Sequence, residues 1–148
     1  MEEKYINILL KLANKASDLD EVPVAAIITY GDKIIAKSYN KRVRTNRTTS
    51  HAEIEAITKA NKKMKDWRLN GCVMYVTIRP CEMCEKVIKE SRIEKVYYLV
   101  DRDIKKVQYS KTEFLKIAEN QVNEEVKKYK NKLSNFWKNK RNNKDNML

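Results

Sequence analysis

His51-Ala52-Glu53 and, further along, Pro80-Cys81-Glu82-Met83-Cys84 are the two stretches that decide how this chain is read. His51 is the only histidine in 148 residues, and Cys81 and Cys84 are two of the three cysteines. One histidine and two cysteines supply three zinc ligands, and a catalytic zinc keeps three protein ligands and leaves its fourth position to water. Glu53 is then a carboxylate beside the ligands that is free to move protons. Cysteines three apart carry their sulfurs on one side of a helix. Pro80 suits that helix's start, because the N–H it lacks would have no partner there. Thiolates at the positive end of a helix have a lowered pKa and favour a metal. His51 and Glu53 are two apart and would point to nearly opposite sides of a regular helix. Both must therefore lie in a first turn, where side chains reach around the helix end. The pattern predicts two helix N-termini converging on one zinc ion.

Blander readings fit less well. A C-x-x-C pair is often half of a structural zinc site, but no second pair exists and Cys72 falls inside an apolar strand pattern as a small core residue. A redox pair would need a thioredoxin-like setting that is missing. A histidine alone on a helix is usually a satisfied side chain, yet this one stands beside Glu53 and answers the cysteine pair.

Outward from these motifs the chain alternates strands and helices. Tyr5, Ile8, Leu9, Leu12, Ala13 and Ala16 share one helical face, which predicts a helix over residues 2–17. Residues 22–30 read as a buried strand, Gly31-Asp32 as a two-residue hairpin turn, and 33–39 as the returning strand. Residues 40–50 read as a polar, basic loop, with Thr49 and Ser50 as candidate N-caps for a helix over 51–64, apolar on several faces. Residues 72–78, 81–91 and 95–100 read as strand, helix and strand, a parallel pair with a right-handed crossover. A short helix is expected over 111–119. Val126, Tyr129, Leu133, Phe136 and Trp137 mark a C-terminal helix, and residues 138–148 read as a frayed polar tail. The fold class is α/β, with helices on both faces of a mixed sheet.

Two glycines, two prolines and 42% hydrophobic residues suit one domain with a real core. The polar start and the lack of long apolar runs predict neither a secretory signal nor a membrane span, which places the chain in the cytoplasm. The net charge of +12 suggests an anionic partner such as nucleic acid. Residues 127–148 hold eight basic side chains and one acidic, and Lys41, Arg42, Arg44 and Arg47 cluster just before His51. Charge beside a reaction centre argues for nucleic acid over a merely solvated basic surface.

H-x-E followed by P-C-x-x-C is the pattern of the zinc nucleobase deaminases. From about Tyr5 to Arg141 the chain resembles the bacterial tRNA-specific adenosine deaminases of the cytidine-deaminase-like superfamily. The resemblance rests on Glu21-Val22-Pro23-Val24-Ala25-Ala26, Asn40, His51-Ala52-Glu53-Ile54, Trp67-Arg68-Leu69, Tyr75-Val76-Thr77, the cysteine motif, Ser91-Arg92-Ile93 and the Phe136-Trp137 tail. It implies a three-layer α/β/α cytidine-deaminase-like fold with a five-stranded sheet, a deaminase domain over 1–137 and a basic tail over 138–148. It implies zinc, one per subunit, on His51, Cys81 and Cys84, with Glu53 as the catalytic proton shuttle. Asn40 and the Ala52 backbone N–H would bind the base. Arg42, Arg44, Arg47, Lys138, Lys140 and Arg141 would hold RNA phosphates. It further implies conversion of adenosine to inosine in tRNA, at the anticodon wobble position, by a homodimer. Deamination of a free cytosine or guanine base, nucleoside or nucleotide is the alternative, and a non-catalytic RNA-binding subunit the third reading. The chain departs from the family at Ala25, where Gly is usual, at Arg79, where Glu is usual, and at Glu85-Lys86-Val87, where small residues are usual. Asp101 and Asp103 are both candidates for the family's substrate-contacting aspartate.

Overall fold

β1 (Ala25–Tyr30) alternates its side chains between two apolar layers, and the fold is built around it. Ala25 and Ile27 join one buried cluster, Ala26 and Ile28 the other, as the period of two in a strand requires. The structure is a computed structural model that describes residues 1–102, 113–116, 120 and 123–146. The chain divides into two compact units, Met1–Lys105 and Lys106–Leu148.

In the first unit β1 pairs antiparallel with β2 (Lys33–Tyr39) on one side and with β3 (Cys72–Ile78) on the other. β3 pairs in parallel with β4 (Lys95–Val100), giving the order β2-β1-β3-β4. Among the described residues the sheet has four strands, not the five implied by the resemblance. Gly31 turns the β1–β2 hairpin at a φ of +59°, where Gly lacks the steric cost of a side chain. The pairing shifts between Ile28 and Thr29, leaving Ile35 as an extra residue in β2.

β1 starts at Ala25 and not at Val22. Pro23 has no N–H for a ladder, and Val24 instead donates its N–H to the Val22 carbonyl at 2.7 Å. α1 (Glu3–Asp18) packs Tyr5, Leu9, Ala13 and Ala16 on one sheet face. α3 (Ala52–Met64) and α4 (Glu82–Glu90) cover the other. α3 is buried along one stripe, not on several faces: Ala52, Ala56 and Ala60 recur every four residues and bring the backbone close to the sheet. A short α2 (Arg42–Thr45) interrupts what the sequence suggested was loop.

In the second unit, 113–116 are described and are not helical; the rest of the helix expected over 111–119 lies outside the described residues. α5 (Glu124–Asn146) begins where Asn123 Oδ1 accepts the Val126 N–H at 3.1 Å. It continues through residues 138–146, which the sequence suggested were frayed. Lys and Arg are good helix formers, and ion pairs Glu124–Lys127 and Glu125–Lys128, each 3.2 Å, brace the first turn. Among the described residues no helix is long and apolar enough to cross a membrane.

Candidate active site

Both cysteine and histidine motifs sit at helix starts. His51 is the N-cap of α3 and Cys81 the N-cap of α4, each in extended conformation. Thr49 and Ser50 are therefore not the caps. Ser50 is buried, and its Oγ accepts the Thr45 hydroxyl at 2.9 Å. Pro80 lies one residue before the cap and not inside the helix. Its neighbour Cys81 is at the positive helix end, as the pattern required.

His51 Nδ1 lies 3.6 Å from Cys81 Sγ and 3.5 Å from Cys84 Sγ. The ligand atoms of all three lie within 4.8 Å of one another. A tetrahedral ion with zinc's bonds to sulfur and nitrogen sets those donors about 3.5 Å apart, so the three residues fit such an ion. The cluster has three donors among the described residues, which suits a centre with one open position. Hydrogen bonds from the Cys84 thiol and His51 pull the Cys81 thiol down to about 3, while the Cys81 thiolate and burial push Cys84 up. The negative charge thus gathers on the more exposed sulfur, at the helix N-terminus.

Glu53 is 2% exposed, in the first turn of α3. Burial pushes its carboxyl above the ordinary glutamate value, opposed in part by hydrogen bonding to Cys84 and the charge of His51. Beside it is a cavity of about 180 Å³ lined by Val22, Val24, Asn40, Arg42, His51, Glu53 and Arg102. Of the residues expected from the sequence, Asn40, Arg42, His51 and Glu53 thus meet at one cavity, with Cys81 and Cys84 against His51 and Cys84 also bonded to Glu53. Ala52 is fully buried at the first position of α3. Arg44 lies within α2 and Arg47 just past its end, where it is engaged with Glu55 at 3.3 Å. Lys138, Lys140 and Arg141 belong to α5, in the second unit.

Two residues of the site escaped sequence reasoning. Glu21, 4% exposed, accepts the Asn40 Nδ2–H at 3.1 Å, the Val43 N–H at 3.2 Å and the Arg44 N–H at 2.6 Å. It caps α2 from a distance and fixes which end of the Asn40 amide faces the cavity. A carboxylate only accepts, so the amide must turn its NH2 toward Glu21 and keep Oδ1 for a ligand. These partners lie 19 to 23 residues along the chain, so no local pattern reveals them. The second is Arg102, whose Nε donates to the Arg79 carbonyl at 3.1 Å and which lines the cavity. The sequence had drawn attention to its acidic neighbours. Asp101 is exposed and is not among the lining residues, and Asp103 lies outside the described residues.

The departures from the family pattern fall away from the cavity. Ala25 packs into the α1 cluster. Arg79 and Glu85 line a separate cavity of about 320 Å³ with Ile88, Ile93 and Tyr98, where Glu85 pairs with Lys89 at 3.2 Å.

Comparison with known proteins agrees with this geometry. The MafB19-like deaminase family model matches residues 1–141. A tRNA-specific adenosine deaminase of Buchnera aphidicola subsp. Schizaphis graminum is 37% identical over 144 residues, covering 93% of this chain and 94% of its own. One from Bacillus subtilis is 39% identical over 97 residues, 66% of this chain and 60% of its own. A solved structure from a study of A-to-I editing by tRNA:A34 deaminases at the wobble position has 35% identity and a TM-score of 0.66, over 67% of this chain and 76% of that one. A guanine deaminase from Bacillus subtilis has a TM-score of 0.72 over 94% of this chain and 95% of that one. At 24% identity it shares the fold alone. A relative aligned along nearly its whole length and a family model reaching residue 141 put the chain in the deaminase family of the tRNA-specific adenosine deaminases.

Proposed function

We propose that this protein is a zinc-dependent hydrolytic deaminase that converts adenosine to inosine in tRNA, at the wobble position of the anticodon. The observation that carries the reading is the 37% identity along 93% of the chain to a tRNA-specific adenosine deaminase. The cavity supports it. At about 180 Å³ it is smaller than the roughly 300–1,000 Å³ usual for pockets that enclose drug-sized ligands. It suits a single base turned out of a loop, with sugar and phosphates left outside.

His51, Cys81 and Cys84 would hold the zinc, whose contribution is to acidify water so that a nucleophile forms at neutral pH. Glu53 would take a proton from the attacking water and deliver it to the ring nitrogen beside the attacked carbon. It then carries a proton to the departing amine, which leaves as ammonia. Its raised pKa suits a group that must both accept and donate near neutrality. Asn40, turned by Glu21, offers Oδ1 to a donor on the base or ribose. The Ala52 backbone N–H, at the start of α3, orients the base. Val22 and Val24 give its faces an apolar lining. Arg42 and Arg102 stand at the same cavity, where flanking phosphates would need cations. Lys138, Lys140 and Arg141 would add contacts from α5, and Arg44 and Arg47 from around α2. A homodimer in the cytoplasm completes the reading.

The test is inosine formation by zinc-loaded protein on an anticodon stem-loop carrying a wobble adenosine, with free adenosine, cytidine and guanine in parallel. Inosine from the stem-loop alone supports the proposal. Ammonia released only from a free base or nucleoside overturns it.

A further inference from the structure

The edge strand β2 and its neighbours carry basic residues that the reaction does not use. Arg42 lines the base-sized cavity, and Lys41 precedes it. The Lys41 ammonium lies 4.9 Å from the centre of the Tyr39 ring, and the Lys15 ammonium of α1 lies 5.5 Å from the same centre. Tyr39 is buried, so its ring holds two cations in place and is not itself open to a base. One step along β2, Lys59 of α3 donates its ammonium to the Lys37 carbonyl at 2.8 Å. Lys37, Lys15 and Lys11 then line one open groove of about 550 Å³ between α1 and β2, with Ile8 and Leu12 as its floor and Asp18 as its one acid. From Lys37 in β2 to Lys41, just past the strand's end, the chain spans at most about 13 Å.

These residues gain little from one another. Among the described residues, none of Lys11, Lys15, Lys37, Lys41, Arg42 and Lys59 takes part in an ion pair. Burial and then the charges of Lys41 and Lys37 lower the pKa of Lys59, a sign of repulsion within the group. Like charges held this close destabilise the free protein, and a bound polyanion would relieve them. Their linear arrangement, beginning at a cavity sized for one base, fits a nucleic-acid backbone better than a compact anion.

We propose that the edge of β2 is a phosphate track: Lys41, Lys59, Lys37 and Lys15 hold successive backbone phosphates of the RNA strand whose flipped base enters the Asn40–Glu53 cavity. This rests on the RNA reading above and names a surface for it.

Binding of an anticodon stem-loop RNA to the full-length, zinc-loaded protein, measured at a series of salt concentrations, tests it. The variant is Lys15→Gln/Lys37→Gln/Lys59→Gln. The control is Lys62→Gln/Lys63→Gln/Lys65→Gln, which removes equal charge at the far end of α3. Each phosphate contact contributes about 0.7–0.9 to the slope of log affinity against log salt, so the track variant should flatten that slope by about 2. The control should leave it unchanged. Lys15→Arg/Lys37→Arg/Lys59→Arg should restore it, which separates lost charge from misfolding. Equal flattening in track and control variants would reduce the effect to net charge and overturn the track, as would an unchanged slope in the track variant. A wild-type protein that binds no RNA but deaminates a free base would overturn the RNA reading itself, and the track with it.

Discussion

Glu53 stands beside the metal donors without being one, so its substitution separates chemistry from binding. Glu53→Gln should lower kcat by about 10²–10⁴-fold, the usual range for a lost acid–base group, while metal content by atomic absorption stays at one ion per chain. Glu21 acts one step further out, through the Asn40 amide and two backbone N–H groups of α2. Glu21→Gln would turn an amide NH2 toward donors that need an acceptor, at a cost of about 1–3 kcal/mol for groups left unsatisfied. The expected outcome is a lower melting temperature together with a raised KM, and a kcat that changes less than KM. An equal fall in kcat with KM unmoved would show that Asn40 does not depend on it. Cys72 is the third test at this scale. Burial, and then Glu94, raise its pKa, so it holds less thiolate than an ordinary cysteine at any pH near 8. Thiol titration should find no fast-reacting cysteine in metal-loaded protein, Cys81 alone after chelation, and the buried Cys84 and Cys72 only on unfolding.

Elements were legible in the sequence where one periodicity ruled. α1 follows Tyr5, Leu9, Ala13 and Ala16, and β3 and β4 were read to the residue because each is a short apolar run between turn signals. Boundaries failed where a local rule met a tertiary need. β1 loses Val22–Val24 because Pro23 has no N–H for a ladder, and Val22 and Val24 line the cavity instead. α3 and α4 start on His51 and Cys81, poor caps by propensity, because the cap position is what brings three donors to one point. The zinc-type donors and Glu53 were readable because the reaction needs those residue types at fixed spacings. Glu21 and Arg102 were not, since a hydrogen bond across the fold leaves no periodic trace. Leu9 anchors α1 and is fully buried. Leu9→Ala should cost about 2–5 kcal/mol in denaturant unfolding, with metal content unchanged, because the α1 cluster lies on the sheet face opposite the donors.

At the scale of the whole molecule the charge is uneven. Of the net +12, the stretch 127–148 carries eight basic residues against one acidic, and the first unit adds its own bases around α2 and β2. Deamination of a stem-loop should therefore weaken steeply as salt rises from 50 to 200 mM, while turnover of any free nucleoside should barely respond. The fold also leaves two helices begun by residues chosen for another purpose. Neither His51 nor Cys81 makes a standard side-chain capping bond, so the first turns of α3 and α4 are weakly capped at the same spot. An ion gripped by those two residues would pin both turns at once. Metal occupancy and the fraying of two separate helices would then become one cooperative event, visible as amide hydrogen exchange that speeds up together at 53–55 and 83–85 when the ion is stripped away.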